Sequence, residues 1–401
     1  MSRSHLLFSL RNQIYKDSTA ERALLFEKIL ERWSFARWLY RYLDDHKTSG
    51  LAVLIALIYG AFAKLDFSKT RDANHDFAIG HRANELSAFF RYQKSCSTEL
   101  NFIPVTDDLK FSWPTVPSIF ISYRVLRILM RLSRKNFPFY LLLRLSRTLF
   151  FYGQLKRFVN SKKIRLVFST DGNPHGNAIM ALSDSKLVET VFVAHAADSI
   201  QPLRLRCSHA YFFGRHSFES AIQNYSKIRH VEFFKFESEL GNITFDSPKR
   251  IGIFLSKDFN EDSLKSLVNK VFDRNQDSSV ILRLHPGSLI NLSLQFDSRV
   301  KISRNNSIAN DLKECDVVVG GNSTVLLECL LSGVCSYFWK ELDRYSEFTL
   351  PTIRQGLIYN LQKFDSQSLE TGKSLYRTIE WRKKLNFVFN LHHDSTNNVQ
   401  I

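Results

Sequence analysis

Two polar motifs follow short apolar runs in the second half of the chain. Residues 316–319 lead directly into Gly320–Thr324, which reads Gly-Gly-Asn-Ser-Thr, and residues 280–284 lead into His285 and Pro286. Glycines allow a backbone to approach a ligand closely, hydroxyl groups can donate to oxyanions, and an imidazole can meet a phosphate or a leaving group. These residue types therefore predict contacts with a phosphate group.

The glycine-rich motif is the stronger of the two, because it lies between a β-branched strand and a helix. There the free N–H groups of the helix and the hydroxyls of Ser323 and Thr324 would face one anion, and Gly320 and Gly321 would leave room for it. The alternative is that Asn322 or Ser323 only caps the helix. Both can hold, since capping and anion binding use neighbouring groups.

Other residues could support such a site. Glu328 lies one helical turn beyond Thr324, where a carboxylate can accept from ribose hydroxyls, although an ordinary helix charge explains it equally. Ser256 and Lys257 end the preceding strand and are candidates for anion contact. His285 could be only a turn residue, but its pairing with the Gly-Gly-Asn-Ser-Thr motif favours a functional role.

An aspartate in the first half of the chain has a comparable position. Asp171 follows the apolar run 165–168 and precedes Gly172, so it could act as a general base on a hydroxyl group. An Asx turn before Gly172 explains the same residue equally well. Weaker candidates for contacts with a second substrate are the strand-end histidines His81, His175 and His195. Their spacing matches no metal-binding pattern, so we expect no metal ion.

The apolar runs that carry these motifs alternate with helical segments, a pattern typical of a parallel sheet covered on both faces. Two strand–helix series are separated by a stretch without a clear pattern at 215–248. They predict an α/β protein with two Rossmann-like doubly wound domains facing a cleft. We expect an N-terminal helical extension at 1–70, a first domain at 71–245, a second domain at 246–360 and a C-terminal helical tail at 361–401.

The charge of the chain is unevenly distributed. Its formal net charge is +16, and the 62 residues between Asp108 and Asp171 contain thirteen basic residues and no acidic one. Apolar and aromatic residues lie between them, so 118–162 predicts basic amphipathic helices that bind an anionic membrane surface, at about 1 kcal/mol per basic residue. A solvated basic face on an ordinary helix is the alternative. No nucleic-acid-binding motif accompanies the charge, so we expect no nucleic acid partner.

The cellular compartment can be inferred from the cysteines and the apolar segments. Five cysteines are scattered without a CxxC pair, which is typical of a reducing compartment. No signal peptide is visible at the N-terminus. The longest apolar stretch, 51–63, is shorter than the about 20 residues of a membrane span, so we expect a buried helix there. These features predict a cytoplasmic protein, peripherally associated with the inner face of the cell membrane.

Three segments resemble GT-B glycosyltransferases of bacterial surface-polysaccharide assembly, the broad group that includes capsule polysialyltransferases and CDP-glycerol glycerophosphotransferases. They are residues 166–198, Leu282–Gly287 and 316–328. In one place the chain departs from the group: the common Gln-His-Gly reads Ala194-His195-Ala196. This departure weakens any role that the resemblance implies for His195.

The resemblance implies a metal-independent glycosyltransferase that moves a sugar from a nucleotide-sugar donor to a surface glycan or lipid-linked acceptor, in capsule or lipopolysaccharide biosynthesis. The donor is a substrate, and no cofactor is implied. Contacts with the donor phosphates are implied for His285, Pro286, Ser323 and Thr324, and the role of base is implied for Asp171. Three alternatives stay open: an isomerase of the UDP-sugar 2-epimerase kind, an alditol-phosphate transferase, and a non-catalytic scaffold of a polysaccharide assembly complex.

Overall fold

The protein is described from a computed structural model. The structure describes residues 34–46, 50–67, 76–80, 83–105, 125–130, 138–159, 163–197, 203–223, 226–236, 248–256, 259–285, 296–305, 308–343 and 350–391. These residues form two compact units. Unit 1 contains those within Met1–His195, Gln201–Phe212 and Glu219–Glu232, and unit 2 those within Ala196–Ile200, Phe213–Phe218 and Phe233–Ile401.

Unit 1 is built on a six-stranded sheet. Its strands are β1 (Asp76–Gly80), β2 (Asn101–Pro104), β3 (Ile164–Phe168), β4 (Val188–Val193), β5 (Arg206–Phe212) and β6 (Lys227–Phe233). Their order is β2-β1-β3-β4-β5-β6, and β1 to β5 pair in parallel. The chain proceeds from β1 to one side and from β3 to the other, so the topological switch point lies between these two strands.

Helices cover this sheet. They are α1 (Ser34–Asp45), α2 (Gly50–Ala61), α3 (Ala83–Cys96), α4 (Phe139–Phe158) and α5 (Pro174–Met180), and α6 (Arg215–Gln223) connects β5 to β6 along the chain. Helix α2 packs along α4, and α1 contacts both. The described part of the expected N-terminal extension therefore belongs to unit 1. Helix α2 is apolar along its whole length, and the face that carries Ala52, Val53, Ala56 and Gly60 is buried.

Helix α4 differs most from the sequence prediction, which placed it among basic amphipathic helices at a membrane surface. Most of α4 is buried, including Arg144 and Arg147, which are 3% and 1% exposed. Their guanidinium groups lie over aromatic rings: Arg144 is 5.9 Å from the Tyr140 ring and Arg147 is 5.2 Å from the Tyr59 ring. Every residue from Phe139 to Phe151 is buried, so this part of the helix has no solvent-exposed face. Much of the rest of 118–162 lies outside the described residues.

Unit 2 is built on a second six-stranded sheet. Its strands are β7 (Arg250–Phe254), β8 (Ser279–Arg283), β9 (Val300–Ile302), β10 (Val317–Gly320), β11 (Cys335–Phe338) and β12 (Tyr359–Asn360). The order is β12-β11-β10-β7-β8-β9, and neighbouring strands pair in parallel. The chain proceeds in opposite directions from β7 and β10, so the switch point lies between them.

The helices of unit 2 follow the strands in turn. They are α7 (Glu261–Arg274), α8 (Ile308–Leu312), α9 (Val325–Leu331), α10 (Pro351–Arg354), α11 (Ser366–Tyr376) and α12 (Ile379–Val388), with a 3-10 turn at Lys340–Leu342. The expected C-terminal tail forms α11 and α12 within this unit. Tyr337 on β11 donates to the carbonyl of Leu369 on α11 at 2.7 Å, which ties the tail to the sheet.

The predicted α/β class with two doubly wound domains is confirmed by these two sheets. The stretch at 215–248 is less irregular than its sequence indicates, because it contains α6 and β6. Strand β6 is an edge strand whose residues are all exposed or half-buried, so it lacks the apolar run that marks the inner strands. No helix among the described ranges combines the length and the apolar character that crossing a membrane requires.

Glycine 60 allows α2 to approach α4. A Cβ atom at Gly60 would clash with the Ser146 hydroxyl and lie 2.7 Å from Cδ2 of Phe150. We expect Gly60→Ala to lower the free energy of unfolding by about 1–3 kcal/mol, since the helices must separate. The matched control is Gly50→Ala on the same helix, where a Cβ would meet nothing within 4 Å. Chemical denaturation followed by circular dichroism tests the pair, and equal stabilities would contradict the packing.

Candidate functional site

Three neighbouring strands of unit 2 end in one row. Gly320 of β10 pairs with Phe254 of β7, which pairs with Arg283 of β8. The loops that follow these strands therefore leave the sheet at the same, carboxyl edge. Adjacent strands lie about 4.8 Å apart, so the β8 and β10 loops begin about 10 Å from each other with the β7 loop between them. This edge includes the switch point between β7 and β10.

The predicted phosphate-contact residues lie on these three loops. Ser256 follows β7 and is buried, at 8% exposure, and His285 follows β8 and is half-buried. Gly320–Thr324 follows β10. Lys257 and Pro286 lie outside the described residues. The two motifs that the sequence singles out are thus brought to one edge of one sheet.

Glycine is required at the start of the β10 loop. A Cβ atom at Gly320 would lie 2.7 Å from the carbonyl oxygen of Phe254, and one at Gly321 would lie 3.0 Å from Cγ of Asp343. Both glycines are buried. These glycines therefore allow the loop to lie close to Phe254 and Asp343 of the same unit. The sequence instead predicts that they make room for a ligand.

Asp343 is a residue that the sequence analysis missed. Its Oδ2 accepts from the backbone N–H of Asn322 at 2.7 Å, and the Asn322 side-chain oxygen accepts from the N–H of Leu350 at 2.8 Å. Asn322 therefore holds the loop in place and does not cap α9. Its N–H is occupied by a carboxylate, so it is not available to a phosphate. No local sequence pattern reveals this contact, because 21 residues separate the partners.

The hydroxyl groups of Ser323 and Thr324 are held less firmly by hydrogen bonds than Asn322 is. Thr324 is the N-cap residue of α9, yet its side chain makes no capping hydrogen bond. The Ser323 hydroxyl accepts from the N–H of Val325 only at 3.4 Å. Both residues and Glu328, one turn along α9, are half-buried. Because α9 has only seven residues, hydroxyl donors rather than a long helix dipole are what this loop offers an anion.

Asp311 on α8 ties the β8 and β9 loops together. It pairs with Arg283 and accepts from the Ser303 hydroxyl at 2.7 Å and from the Asn305 amide at 2.6 Å. Burial raises the pKa of the Asp311 carboxyl, but the hydrogen bonds from Asn305, Ser303 and Arg283 outweigh it, so its pKa lies below the ordinary value. These contacts of Asp311 fix Arg283 at the end of β8, two residues before His285.

Asp171 lies at the carboxyl edge of the unit 1 sheet, on the loop after β3. It is 7% exposed, and its Oδ2 accepts from the N–H of Arg204 at 2.9 Å. The Asn177 amide donates to its backbone oxygen at 3.1 Å, and Arg144 donates to the Gly172 carbonyl at 2.9 Å. The carboxylate therefore bonds to a distant part of the chain. Its assignment as a general base stays a prediction.

A buried carboxylate on α3 organises the same loop. Oε1 of Glu85, a residue with 0% exposure, accepts from Thr170 at 3.0 Å, from Asn173 at 3.2 Å and from Nε2 of His175 at 3.1 Å. The predicted acceptor-side residue His175 is itself 1% exposed. Its position indicates a role in holding the loop rather than a direct contact with a substrate.

The remaining predicted histidines differ in position. Nδ1 of His195 lies 2.9 Å from the carbonyl oxygen of Ser169, which can only accept, so this nitrogen carries the proton. His195 is half-buried beside the β3 loop, and His81 lies outside the described residues. Among the described residues no cluster of three or more His, Cys, Asp or Glu side chains is placed to hold a metal ion. Metal independence stays a prediction.

Removing the Asp311 carboxylate is expected to weaken unit 2 in a pH-dependent way. The folded pKa lies below the unfolded value of about 3.9, so the stabilisation is present above that pH and is lost as the pH falls through the folded value. Asp311→Asn should lower the free energy of unfolding by about 3 kcal/mol at pH 7, and this difference should shrink progressively as the pH falls below the unfolded value. Urea titrations measure this, with exposed Asp273→Asn as control. A difference that does not change with pH would contradict the assignment.

Removing the Glu85 carboxylate is expected to disorganise the β3 loop. Glu85→Ala leaves three side-chain donors without their acceptor, at about 1–3 kcal/mol each, so unfolding should become easier by at least about 3 kcal/mol. The control is Glu99→Ala, just beyond the same helix, where the side chain is exposed. Hydrogen exchange at residues 169–177 would report the local effect. Unchanged protection there would show that the buried carboxylate does not hold the loop.

Comparisons with known proteins find similar solved structures but no matching family. No family model and no curated protein matches the sequence. Three solved structures that are similar to the chain are the glycosyltransferase SnogD from Streptomyces nogalater, the UDP-GlcNAc 2-epimerase from Neisseria meningitidis bound to UDP-GlcNAc, and MurG from Acinetobacter baumannii. SnogD is 9% identical, covering 78% of this chain and 95% of its own, with a TM-score of 0.39. The epimerase is 11% identical, and the match covers 78% of this chain and 93% of the epimerase, with a TM-score of 0.41. MurG is 9% identical, and the match covers 76% of this chain and 83% of MurG, with a TM-score of 0.35. Likeness at this level does not assign a family.

Proposed function

We propose that the protein is a glycosyltransferase that moves a sugar from a nucleotide-sugar donor to a surface glycan or lipid-linked acceptor. Unit 2 would bind the donor. The observation that carries the proposal is the common edge shared by Ser256, His285 and Gly320–Thr324, on three adjacent strands at the switch point of a doubly wound sheet. Ligands of such sheets bind in the crevice at this place.

The residue types on these loops suit a phosphate that departs with negative charge. Hydroxyls of Ser323 and Thr324 and the imidazole of His285 can each donate a hydrogen bond to an oxyanion, and such bonds are stronger than those between neutral groups. Preorganised donors of this kind lower the barrier to transfer, because they stabilise charge as it develops. Lys257 remains a proposed contact because it follows Ser256 at the end of a predicted strand, and Pro286 remains one on the basis of the resemblance.

The Asp343 carboxylate limits how an anion can bind. Because it occupies the Asn322 N–H and lies against Gly321, a phosphate pressed into the backbone turn would meet a like charge. The proposed phosphate position is therefore beyond the turn, at the hydroxyls and on the side of the β8 loop that carries His285. Glu328, one turn along α9, is the proposed partner of the ribose hydroxyls.

The acceptor side of the proposal rests on the sequence. Asp171 would take the proton of the acceptor hydroxyl, held by its bond to the Arg204 N–H. The resemblance of 166–198 and of Leu282–Gly287 to enzymes of surface-polysaccharide assembly supports a glycan or lipid-linked acceptor. The net charge of +16 supports a cytoplasmic enzyme that works at an anionic membrane surface.

Nucleotide binding tests the donor site directly. Wild-type protein is screened by thermal shift and calorimetry against CMP, CDP, UDP and GDP and their sugar conjugates. We expect at least one of them to bind, Ser323→Ala to weaken it about tenfold, and His285→Ala to abolish sugar transfer. Both variants should unfold at the wild-type temperature when no nucleotide is present, which separates a loss of binding or transfer from a loss of folding.

The matched control is Ser332→Ala, an exposed serine at the other end of α9 whose hydroxyl bonds to the Glu328 carbonyl. It should bind nucleotide like wild type. The proposal fails if no nucleotide shifts the transition, which is the result expected of a scaffold, or if both site variants keep wild-type turnover. Conversion of the free nucleotide sugar without an acceptor would instead favour the isomerase.

A further inference from the structure

A shallow cavity of about 430 Å³ lies in unit 2 beside β11 and β12, between these strands and the helices α10 and α11. The residues that define its chemistry are Lys340, Ile353, Arg354, Ile358, Tyr359 and Asn360. None of the predicted site residues lines it. The cavity is therefore separate from the side chains assigned to the donor phosphate.

Strand register relates the cavity to the β10 loop. Gly320 of β10 pairs with Phe338 of β11, and Phe338 pairs with Asn360 of β12. Phe338 and Asn360 both line the cavity, so part of its lining lies in the same row as Gly320, one to two strand spacings away, which is about 5–10 Å. A single nucleotide sugar is long enough to reach both places.

The lining combines an apolar wall with two cations. Ile353 and Ile358 are buried and Tyr359 is half-buried, whereas Lys340 and Arg354 are exposed. No described residue that lines the cavity is acidic. Surface cations are often merely solvated. Here, however, a flexible ammonium and a planar guanidinium fork border one concavity, and these groups recognise phosphate and carboxylate.

We propose that this cavity binds a second anionic group of the donor, a carboxylate on the transferred sugar. The assignment rests on the proposed function, because the β10 loop must hold the first phosphate. Lys340 and Arg354 select for this charge, and the apolar wall supports the attached ring. The substrate class becomes a donor with at least two anionic groups.

Paired ligands that differ only in a carboxylate test the assignment. UDP-glucose is compared with UDP-glucuronate, and GDP-mannose with GDP-mannuronate. We expect wild-type protein to prefer the acidic member of at least one pair by about tenfold or more. Lys340→Met and Arg354→Gln should each reduce that preference several-fold, and the double variant should abolish it. Equal affinity of wild-type protein for both members of each pair would overturn the proposal.

The control is Lys313→Met, an exposed lysine that precedes β10 and so lies toward the amino edge of the sheet. It should keep the wild-type preference. If nucleotide binds in a Ser323-dependent way but the double variant matches Lys313→Met on every ligand, the cavity is not a subsite and the proposed function stands. If wild-type protein binds no nucleotide at all, the proposed function is overturned and this inference with it.

Discussion

The parallel register of β8, β7 and β10 is the constraint on which the rest of the donor site depends. Gly320, Phe254 and Arg283 lie in one row, so three loops from distant parts of the chain leave the sheet together. A slip of one residue would move each buried valine of β10 to the opposite face of the sheet, where it no longer fits its neighbours, and would displace every loop residue. The burial of these strands therefore sets the position of the polar groups.

Carboxylates at the carboxyl edges hold the loops in both units. The half-buried Asp343 accepts from the Asn322 N–H after β10, the buried Asp311 accepts several hydrogen bonds near the end of β8, and the buried Glu85 does the same for the β3 loop of unit 1. Such groups are costly to bury unless they are satisfied, so each one imposes a specific loop geometry. Rigid loops of this kind let the half-buried hydroxyls of Ser323 and Thr324 and the imidazole of His285 meet a ligand with little loss of entropy.

Burial of α4 shows where local pattern misleads. Its basic and apolar residues alternate in a way that suits a membrane surface, yet Arg144 and Arg147 lie inside unit 1 against aromatic rings and, for Arg144, a backbone carbonyl. A charge is tolerated in the interior only when such partners exist. Tyr140 lies on α4 itself, but the Tyr59 ring comes from α2 and the carbonyl comes from the β3 loop, and the sequence of α4 contains no sign of these two.

The sequence by itself determined the α/β class, most inner strands and the two polar motifs at their ends, because apolar runs and glycines act through local backbone preferences. It identified Ser256, His285 and the β10 loop as one group without coordinates. Only the tertiary structure decided that Asp343 occupies the Asn322 N–H, that His175 is buried on Glu85, and that Lys340 and Arg354 border a cavity. Those facts depend on contacts between residues far apart in the chain, which packing and charge compensation select and no local pattern encodes.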